Sequence, residues 1–428
     1  MAGWINDRWL NKRPNPKTGK RERTRLYGSR TKRYRVEGIP GVRSRSFDKV
    51  DDAKRWKAKA EHETSTGSFY DPRAGEMLFG VYVREHWWPS LRRTPTTKDA
   101  MRTRIFGHIL PYAEKMPLNS IGHDEIRAWA VWAEQRIDTG TVRTTWRHFS
   151  SIMQAAYKAK RIPANPFRDE DLKAPTAPAS KAKAWAHDRV QAVRAELGRR
   201  YRILVDEGTL SGVRQGEAFG LSPDDLDGED LHIERQVIKT GRGLAFGPPK
   251  GNKTRTAPCP PELAKAIEEH SAEFPPVEVT LPWVDPDRPS MAWEDRPKVT
   301  VLLICTTTRG GAINRSTFDE KQWKPALHRA GIIPAPRVEV IERPGRRPLE
   351  RVRWEVPRGN GFHVLRHTFA SIVLAGGETI TKLAAWLGHS DPAFTLRTYV
   401  HFMPKAGRRG FAALAAWSRG DDPEGFGS

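Results

Sequence analysis

The sequence predicts a mainly α-helical protein of the α+β class, in which small β-sheets occupy short segments of a multidomain chain. Its 428 residues are too many for one ordinary hydrophobic core, so two to three domains are expected. Apolar residues recur at helical spacing through much of the chain, whereas alternating runs are short. A hydrophobic content of 38 % is sufficient for folded domains.

A formal net charge of +22 indicates polyanionic partners, of which DNA and RNA are the most common. Membrane headgroups are a weaker alternative, because no apolar run reaches transmembrane length and no signal sequence opens the chain. No membrane partner is therefore expected. The protein is expected to be cytoplasmic. The two cysteines, Cys259 and Cys305, are not spaced as a zinc knuckle and are too few for a disulfide framework.

The beginning of the chain is unusually basic, since residues 1–70 hold 19 Lys and Arg against 8 Asp and Glu. The first twenty or so residues are rich in Lys and Pro without an apolar period, and a mobile basic arm is expected there. Two alternating runs, residues 32–36 and 43–47, predict a β-hairpin. Apolar residues at helical spacing from Val50 to Ala60 then predict one helix.

Three further segments and a tail follow. Residues 75–172 carry successive helical patterns and predict a helical domain. Pro163 and Pro166 end its last predicted helix, because proline cannot continue a helix. Residues 173–184, rich in Pro and Ala, predict an interdomain linker. From 185 to 417 helical patterns are mixed with a hairpin region at 231–257, and residues 418–428 are expected to be disordered.

The side chains best suited to chemistry occur in five short motifs in the second half of the chain. In order they are Gly-Val-Arg214-Gln-Gly-Glu, Pro-Pro-Lys250, His363-Val-Leu-Arg366-His367-Thr, Leu-Gly-His389-Ser and Arg-Thr-Tyr399. Arginine presents a planar fork that matches two phosphate oxygens and stays charged. One phenol that follows a cluster of cations predicts covalent phosphate chemistry.

These motifs, in this order, resemble those of the tyrosine site-specific recombinases, the phage integrase family. The resemblance covers roughly the second half of the chain. It implies a mixed α/β tyrosine-recombinase catalytic domain at 185–417 and a helical core-binding DNA domain at 75–172. For residues 1–70 it implies a β-β-(β)-α arm-site DNA-binding domain behind the basic arm.

The resemblance also implies roles for individual residues. Tyr399 would attack the scissile phosphorus and form a 3′-phosphotyrosine with a free 5′-hydroxyl. Arg214 and Arg366 would neutralise the nonbridging oxygens of the phosphate, and His389 would donate a hydrogen bond to one of them.

Two assignments have competing residues. Lys250 matches the family's hairpin lysine, which protonates the 5′-oxygen leaving group, and Lys253 is the alternative. His363 is implied as the hydrogen-bond partner or proton acceptor of the nucleophile, whereas His367 is interpreted as a buried structural residue.

A metal site is an alternative interpretation of the histidines. His363 and His367 are spaced like a helical zinc pair, with His389 as a third ligand. Arg366 would repel a dication, however, and no nearby glutamate completes a zinc-protease motif. Neither a metal nor a cofactor is expected.

The implied function is that of an integrase, which exchanges strands between double-stranded DNA sites through a Holliday junction. A homotetramer on core and arm sites is expected, with a directionality factor and a DNA-bending host protein as further candidate partners. Rival hypotheses are a DNA-binding regulator on a decayed recombinase scaffold, and a type IB topoisomerase or resolvase.

Two long stretches, residues 281–299 and 332–360, separate the motifs more than the family pattern requires. They either contact DNA or elaborate the surface, and the sequence does not decide between these. An apolar segment at 411–417 would dock on a neighbouring protomer or on its own chain.

Overall fold

The computed structural model describes residues 3–402 except 67–69, 71, 177–182 and 344. The expected tail 418–428, the apolar segment 411–417 and half of the linker lie outside the described residues. The chain divides into two compact units, Met1–Leu91 with Ala100–Pro178 and Arg92–Asp99 with Ala179–Ser428. Helices predominate and the sheets are small and antiparallel, so the predicted α+β class is confirmed.

The first unit begins with a three-stranded antiparallel sheet and one helix. Their bounds are β1 Trp4–Asp7, β2 Tyr34–Glu37, β3 Arg45–Phe47 and α1 Val50–Ser65, and β2 is the central strand. Val36 of the sheet and Ala53 and Ala60 of the helix are buried together. The sequence predicted an arm without regular structure where strand β1 lies. The strand was not predicted because four residues are too few to show an alternating pattern.

The rest of the first unit is helical. Its helices are α2 Phe79–Val81, α3 Trp88–Ser90, α4 Pro95–His108, α5 Leu110–Ala113, α6 His123–Glu134 and α7 Thr139–Lys158, of which α4 belongs to this unit from Ala100 onward. A π-helical turn, Tyr82–Trp87, joins α2 to α3. Trp146, Phe149 and Met153 lie on the buried face of α7. The Phe149 ring meets those of Phe79 and Trp129 edge-on, with centroid distances of 5.2 and 5.3 Å. This core is apolar and rich in aromatic residues.

The second unit mixes helices with small sheets. Its helices are α8 His187–Glu196, α9 Ile203–Leu210, α10 Gln215–Ala218, α11 Pro261–Glu273, α12 Arg315–Phe318, α13 Lys324–Arg329, α14 Val364–Ala375, α15 Ile380–Leu387 and α16 Pro392–Tyr399. Its strands are β4 Leu226–Asp227, β5 Asp230–Ile233, β6 Gln236–Thr240, β7 Gly243–Gly247, β8 Arg255–Pro258, β9 Val277–Pro282, β10 Lys298–Leu303, β11 Arg337–Arg343 and β12 Arg346–Arg353. The pairings are β4-β5-β8, β6-β7, β9-β10 and β11-β12. Trp185 stacks on Trp323 within the main core of this unit.

The two long stretches between motifs each include part of a two-stranded antiparallel sheet. The first, residues 281–299, includes the end of β9, the start of β10 and the connection between them. The second, residues 332–360, contains the paired strands β11 and β12, and β11 is exposed along its whole length. Separately, no helix among the described residues is both long and apolar enough to cross a membrane.

Candidate active site

The predicted site residues lie mainly at helix ends of the second unit. Arg214 immediately precedes α10, His363 immediately precedes α14, and His389 follows the end of α15. Tyr399 is the last residue of α16, and Lys250 lies on the turn between β7 and β8. Five segments that are distant in sequence therefore carry the candidate side chains.

A buried glutamate holds Arg214 in place. Nη1 of Arg214 donates to Oε1 of Glu217 at 2.9 Å, and the Arg214 backbone N–H donates to Oε2 at 2.8 Å. Nη2 donates to the Leu387 carbonyl at 3.3 Å. The Arg214 side chain is 19 % exposed whereas that of Glu217 is fully buried, so part of the guanidinium can still bind a substrate oxygen.

Arg255 is a second partner of the same carboxylate. Its Nη1 and Nη2 donate to the two oxygens of Glu217 at 3.0 and 2.6 Å, and its Nε donates to the Trp386 carbonyl at 2.7 Å. Burial alone would raise the pKa of Glu217, but the hydrogen bonds and charges of Arg255 and Arg214 outweigh it and lower the pKa to about 2. Glu217 therefore stays ionised between two cations.

Arg366 lies deepest in the site and is 1 % exposed. It donates to the Gly212 carbonyl at 2.7 Å, to the Leu387 carbonyl, and to Nε2 of His389 at 3.3 Å. Burial, together with the charges of Arg214 and Arg255, lowers its pKa to about 9, so the guanidinium is still charged at neutral pH. Three guanidinium groups therefore lie near a single carboxylate, which pairs with Arg214 and Arg255, and this excess of positive charge favours an anion.

The glycine at position 212 permits this close packing. Its φ of +65° is left-handed, and a Cβ there would lie 2.4 Å from the Phe369 ring. Only glycine therefore allows the chain to pass α14 closely enough for its carbonyl to reach Arg366.

His389 lies between the arginine cluster and α16. Its Nδ1 is 2.8 Å from the hydroxyl of buried Thr395, and its Nε2 accepts from Arg366. Burial and then the charge of Arg366 lower the pKa of His389 to about 4. The ring is therefore neutral at pH 7, with its proton on Nδ1 and directed to Thr395.

Tyr399 is 1 % exposed, and its hydroxyl lies 2.8 Å from Nδ1 of His367. Burial raises the pKa of Tyr399 to about 12, although the charges of Arg366 and Arg214 oppose the rise. Burial and the charge of Arg366 lower the pKa of His367 to about 4. With the proton of a neutral His367 on Nε2, Nδ1 accepts this hydrogen bond from the phenol, whereas a proton on Nδ1 reverses the direction.

The structure differs from the sequence-based interpretation of the two histidines. His363 was assigned to the nucleophile and His367 to a structural role, yet it is His367 that bonds to the Tyr399 hydroxyl. His363 is exposed at the start of α14, one turn away, with its ring centroid 4.7 Å from that of His367. Partial desolvation and then the charges of His367 and Arg366 lower the pKa of His363 to about 3.

Lys250 is exposed on the β7–β8 turn and makes no hydrogen bond or ion pair with another described residue. The predicted hairpin region is in fact two pairings, because β6 pairs with β7 and β8 pairs with β5. The lysine turn thus joins two different sheets. Lys253, the competing residue, is exposed on the same turn.

The arrangement of the described residues also bears on the metal-site interpretation of the histidines. No group of three or more His, Cys, Asp or Glu side chains in the described part of the chain is placed to hold a metal ion.

The sequence motifs did not single out Arg255, Thr395 or the role of His367. A signal existed only for His367, which shares the helical face of His363 and Arg366.

Comparisons with known proteins agree with the motifs, although no protein-family model matches the chain. The chain is 25 % identical over 414 residues to the prophage phiRv2 integrase of Mycobacterium tuberculosis, a match that covers 93 % of this chain and 96 % of that protein. It is 24 % identical over 274 residues to a XerC-like tyrosine recombinase of Caldanaerobacter subterraneus, which covers 60 % of each protein.

Among solved structures, the Tn1549 transposon integrase in complex with a circular intermediate DNA has a similar fold. The TM-score is 0.58 at 16 % identity, and the match covers 80 % of this chain and 99 % of that one. The fold, the motifs and the relatives agree, and the predicted resemblance is confirmed. The chain is thus similar in sequence and fold to the tyrosine site-specific recombinases, the phage integrase family.

Proposed function

We propose that this protein is an integrase that cleaves and rejoins DNA at specific sites through a covalent 3′-phosphotyrosine on Tyr399. As a tyrosine recombinase it is an enzyme of DNA strand breakage and rejoining. Integration or excision of a mobile element is supported by the relatives, which include a prophage integrase. At the level of residues, the observation that carries the proposal is the hydrogen bond between the Tyr399 hydroxyl and Nδ1 of His367.

In the cleavage step, the Tyr399 oxygen forms a bond to the scissile phosphorus as the bond to the 5′-oxygen breaks. The phenol proton passes to Nδ1 of His367, which is neutral at pH 7 and lies 2.8 Å from the Tyr399 hydroxyl. Lys250 gives a proton to the departing 5′-oxygen. Rejoining is the reverse, with the 5′-hydroxyl of another strand as the nucleophile.

Arg214, Arg366 and His389 would bind the nonbridging oxygens, whose charge grows in the transition state. The two guanidinium groups are held in advance by Glu217 and by backbone carbonyls, and His389 is held by Thr395 and Arg366, so little reorganisation of these groups is needed on reaction. The phosphate charge would offset the arginine charges that lower the pKa of His389, and so favour its protonated, donating form. Loss of one such donor costs about 10²–10³ in rate in comparable sites.

Tyr399 is too deeply buried to meet a phosphorus atom without movement. Some movement of the groups that cover Tyr399 must therefore accompany DNA binding, and the hydrogen bond to His367 must persist or re-form for the proton transfer. This arrangement keeps the nucleophile away from water and from unrelated phosphates in the unbound protein.

The proposal requires double-stranded DNA but neither a metal nor a cofactor, because the phosphotyrosine conserves the energy of the broken bond. Strand exchange between two duplexes through a Holliday junction calls for four active sites, so a homotetramer on core and arm sites is part of the proposal. A directionality factor and a DNA-bending host protein would complete the assembly. The solved relative in complex with a circular intermediate DNA supports the DNA partner.

The proposal is tested by trapping covalent protein–DNA adducts in cells that carry the native element and sequencing the attached DNA. We expect adducts at one or two defined sequences with the wild type and none with Tyr399→Phe. Tyr201→Phe is the matched control, since Tyr201 is only partly buried and packs on Phe318 away from the motifs.

Two results would contradict the proposal. Binding at discrete sites without any adduct would indicate a DNA-binding regulator. Adducts without sequence preference would indicate a topoisomerase of type IB.

A further inference from the structure

Arg255 is almost fully buried although it lies only five residues after the exposed Lys250 on the same connection. Its side chain is 6 % exposed, and all three of its guanidinium nitrogens donate hydrogen bonds, two to Glu217 and one to the Trp386 carbonyl. The chain reverses tightly above it at Gly388, where φ is +61° and a Cβ would lie 2.7 Å from Cδ of Arg255. Arg255 is therefore fixed to the same carboxylate and the same helix end as Arg214.

The other end of the lysine turn is also fixed. The Pro248 carbonyl accepts from the side chain of Gln236 at 2.7 Å. Between these two anchors, residues 250–254 are exposed, and Gly251 and Asn252 adopt left-handed φ values of +90° and +58°. The tip of the turn is thus exposed, with one backbone hydrogen bond from Asn252 to the Pro249 carbonyl, while both ends are held by side chains.

These anchors limit where Lys250 can go. Five residues span at most about 18 Å when fully extended, so Lys250 stays within that distance of Arg255. A catalytic acid must arrive within hydrogen-bond reach of the leaving oxygen, and a small misplacement is costly in rate. Because Glu217 holds both Arg255 and Arg214, the end of the turn keeps a fixed position relative to the Arg214 guanidinium.

We propose that Arg255 is a positioning residue that ties the Lys250 turn to the Glu217 carboxylate, so that the general acid and the phosphate-binding Arg214 share one fixed support. The proposal rests on the proposed function, in which Lys250 protonates the 5′-oxygen. The competing explanation is that Arg255 only neutralises Glu217 and keeps Arg214 in place.

A sulfur-substituted substrate distinguishes the two explanations. When sulfur replaces the bridging 5′-oxygen at the scissile phosphate, the leaving thiolate is stable, because a thiol has a pKa near 8.5 and needs no acid. Cleavage of this substrate bypasses Lys250 and still requires the arginines. The DNA would be a duplex that contains the cleavage site identified by adduct sequencing.

We expect Arg255→Lys to slow cleavage of the oxygen substrate about 10- to 100-fold, which is less than the roughly 10²–10⁴-fold that a general acid contributes because Lys250 is misplaced rather than absent. Cleavage of the sulfur substrate should return to within about threefold of the wild type, as it should for Lys250→Ala. Arg242→Lys is the matched control, because Arg242 is an exposed arginine on the neighbouring β6–β7 turn and should resemble the wild type on both substrates.

A second variant avoids any effect on Glu217. Two glycines inserted between Lys253 and Thr254 lengthen the tether and leave Arg255 in place, and this variant should show the same loss on oxygen and the same recovery on sulfur. DNA binding and thermal melting of each variant report on folding.

The inference is overturned if Arg255→Lys is equally slow on both substrates, if it cleaves the oxygen substrate like the wild type, or if the lengthened turn retains full activity. If Lys250→Ala is not restored by sulfur, the assignment of Lys250 as the acid in the proposed function fails, and the inference fails with it.

Discussion

The core of the first unit and the charged interior of the second are both tightly buried, but they contain opposite kinds of side chain. Around Phe149 the first unit packs aromatic and aliphatic groups, and the two buried polar side chains among its described residues, Thr145 and Asn165, are hydrogen-bonded. The charged interior, formed by Arg214, Glu217, Arg255 and Arg366, is linked by ion pairs and by hydrogen bonds to backbone carbonyls.

The difference indicates what each region is for. Burial of apolar surface stabilises a fold without directional requirements, and it suffices for a helical scaffold. Burial of charge costs free energy that even a good ion pair only partly offsets, so it is weak support for stability. A charged interior that carries more cations than anions is instead suited to an anionic substrate, which supplies the missing negative charge.

The largest expected effect comes from Glu217→Gln, which preserves shape and removes the charge. Two guanidinium groups would then face each other without a counterion, so unfolding should become easier by about 3–5 kcal/mol. Adduct formation should fall as well, because Arg214 loses its support. Denaturant unfolding and adduct assays measure the two effects, and an unchanged unfolding midpoint would mean that the ion pairs do not stabilise this region.

A substitution of similar size in the first unit should have a smaller effect. Phe149→Leu keeps the site apolar, so the cost should be no more than about 1.5 kcal/mol, mainly from lost ring contacts. Cleavage by the folded protein should not change, because Phe149 belongs to the apolar core. Activity lost without a change in stability would show that the comparison between scaffold and site is wrong.

The smallest expected effect concerns Glu207, which is fully buried in the second unit with neither carboxylate oxygen bonded among the described residues. Burial, and then the charge of Asp206, raises its pKa well above 4.5. The unfolded chain loses this proton near pH 4.5 while the folded chain retains it, so stability is lost as pH rises through the folded pKa.

Glu207→Gln should remove that pH dependence. The melting temperature of Glu207→Gln minus that of the wild type should be larger at pH 8 than at pH 5. Glu273→Gln is the control, since this carboxylate pairs with Arg199 at the surface. Parallel melting curves for wild type and Glu207→Gln at both pH values would argue against a protonated Glu207.

The sequence predicted the composition of the site better than its hydrogen bonds. Arg214, Arg366, His389 and Tyr399 were identified because each occurs in a motif whose spacing is readable along the chain. His363 and His367 share a helical face, and only the packing of α16 decides which ring reaches Tyr399.

Arg255 could not be identified in the same way. A single arginine in an alternating strand has the pattern of a surface residue. Its burial depends on Glu217, which lies 38 positions earlier in the chain. Contacts of this kind follow from the tertiary fold and leave no local pattern.

The central claim is that a neutral His367 receives the proton of Tyr399. Nitrogen NMR of the histidine rings, with the His367 signals identified by their loss in His367→Gln, tests it most directly. We predict a neutral ring at pH 7 with Nδ1 unprotonated, a pKa of about 4, and a shifted Nδ1 resonance in Tyr399→Phe. A doubly protonated His367 at pH 7, or a proton on Nδ1, would contradict the account, because that nitrogen could not accept from the nucleophile.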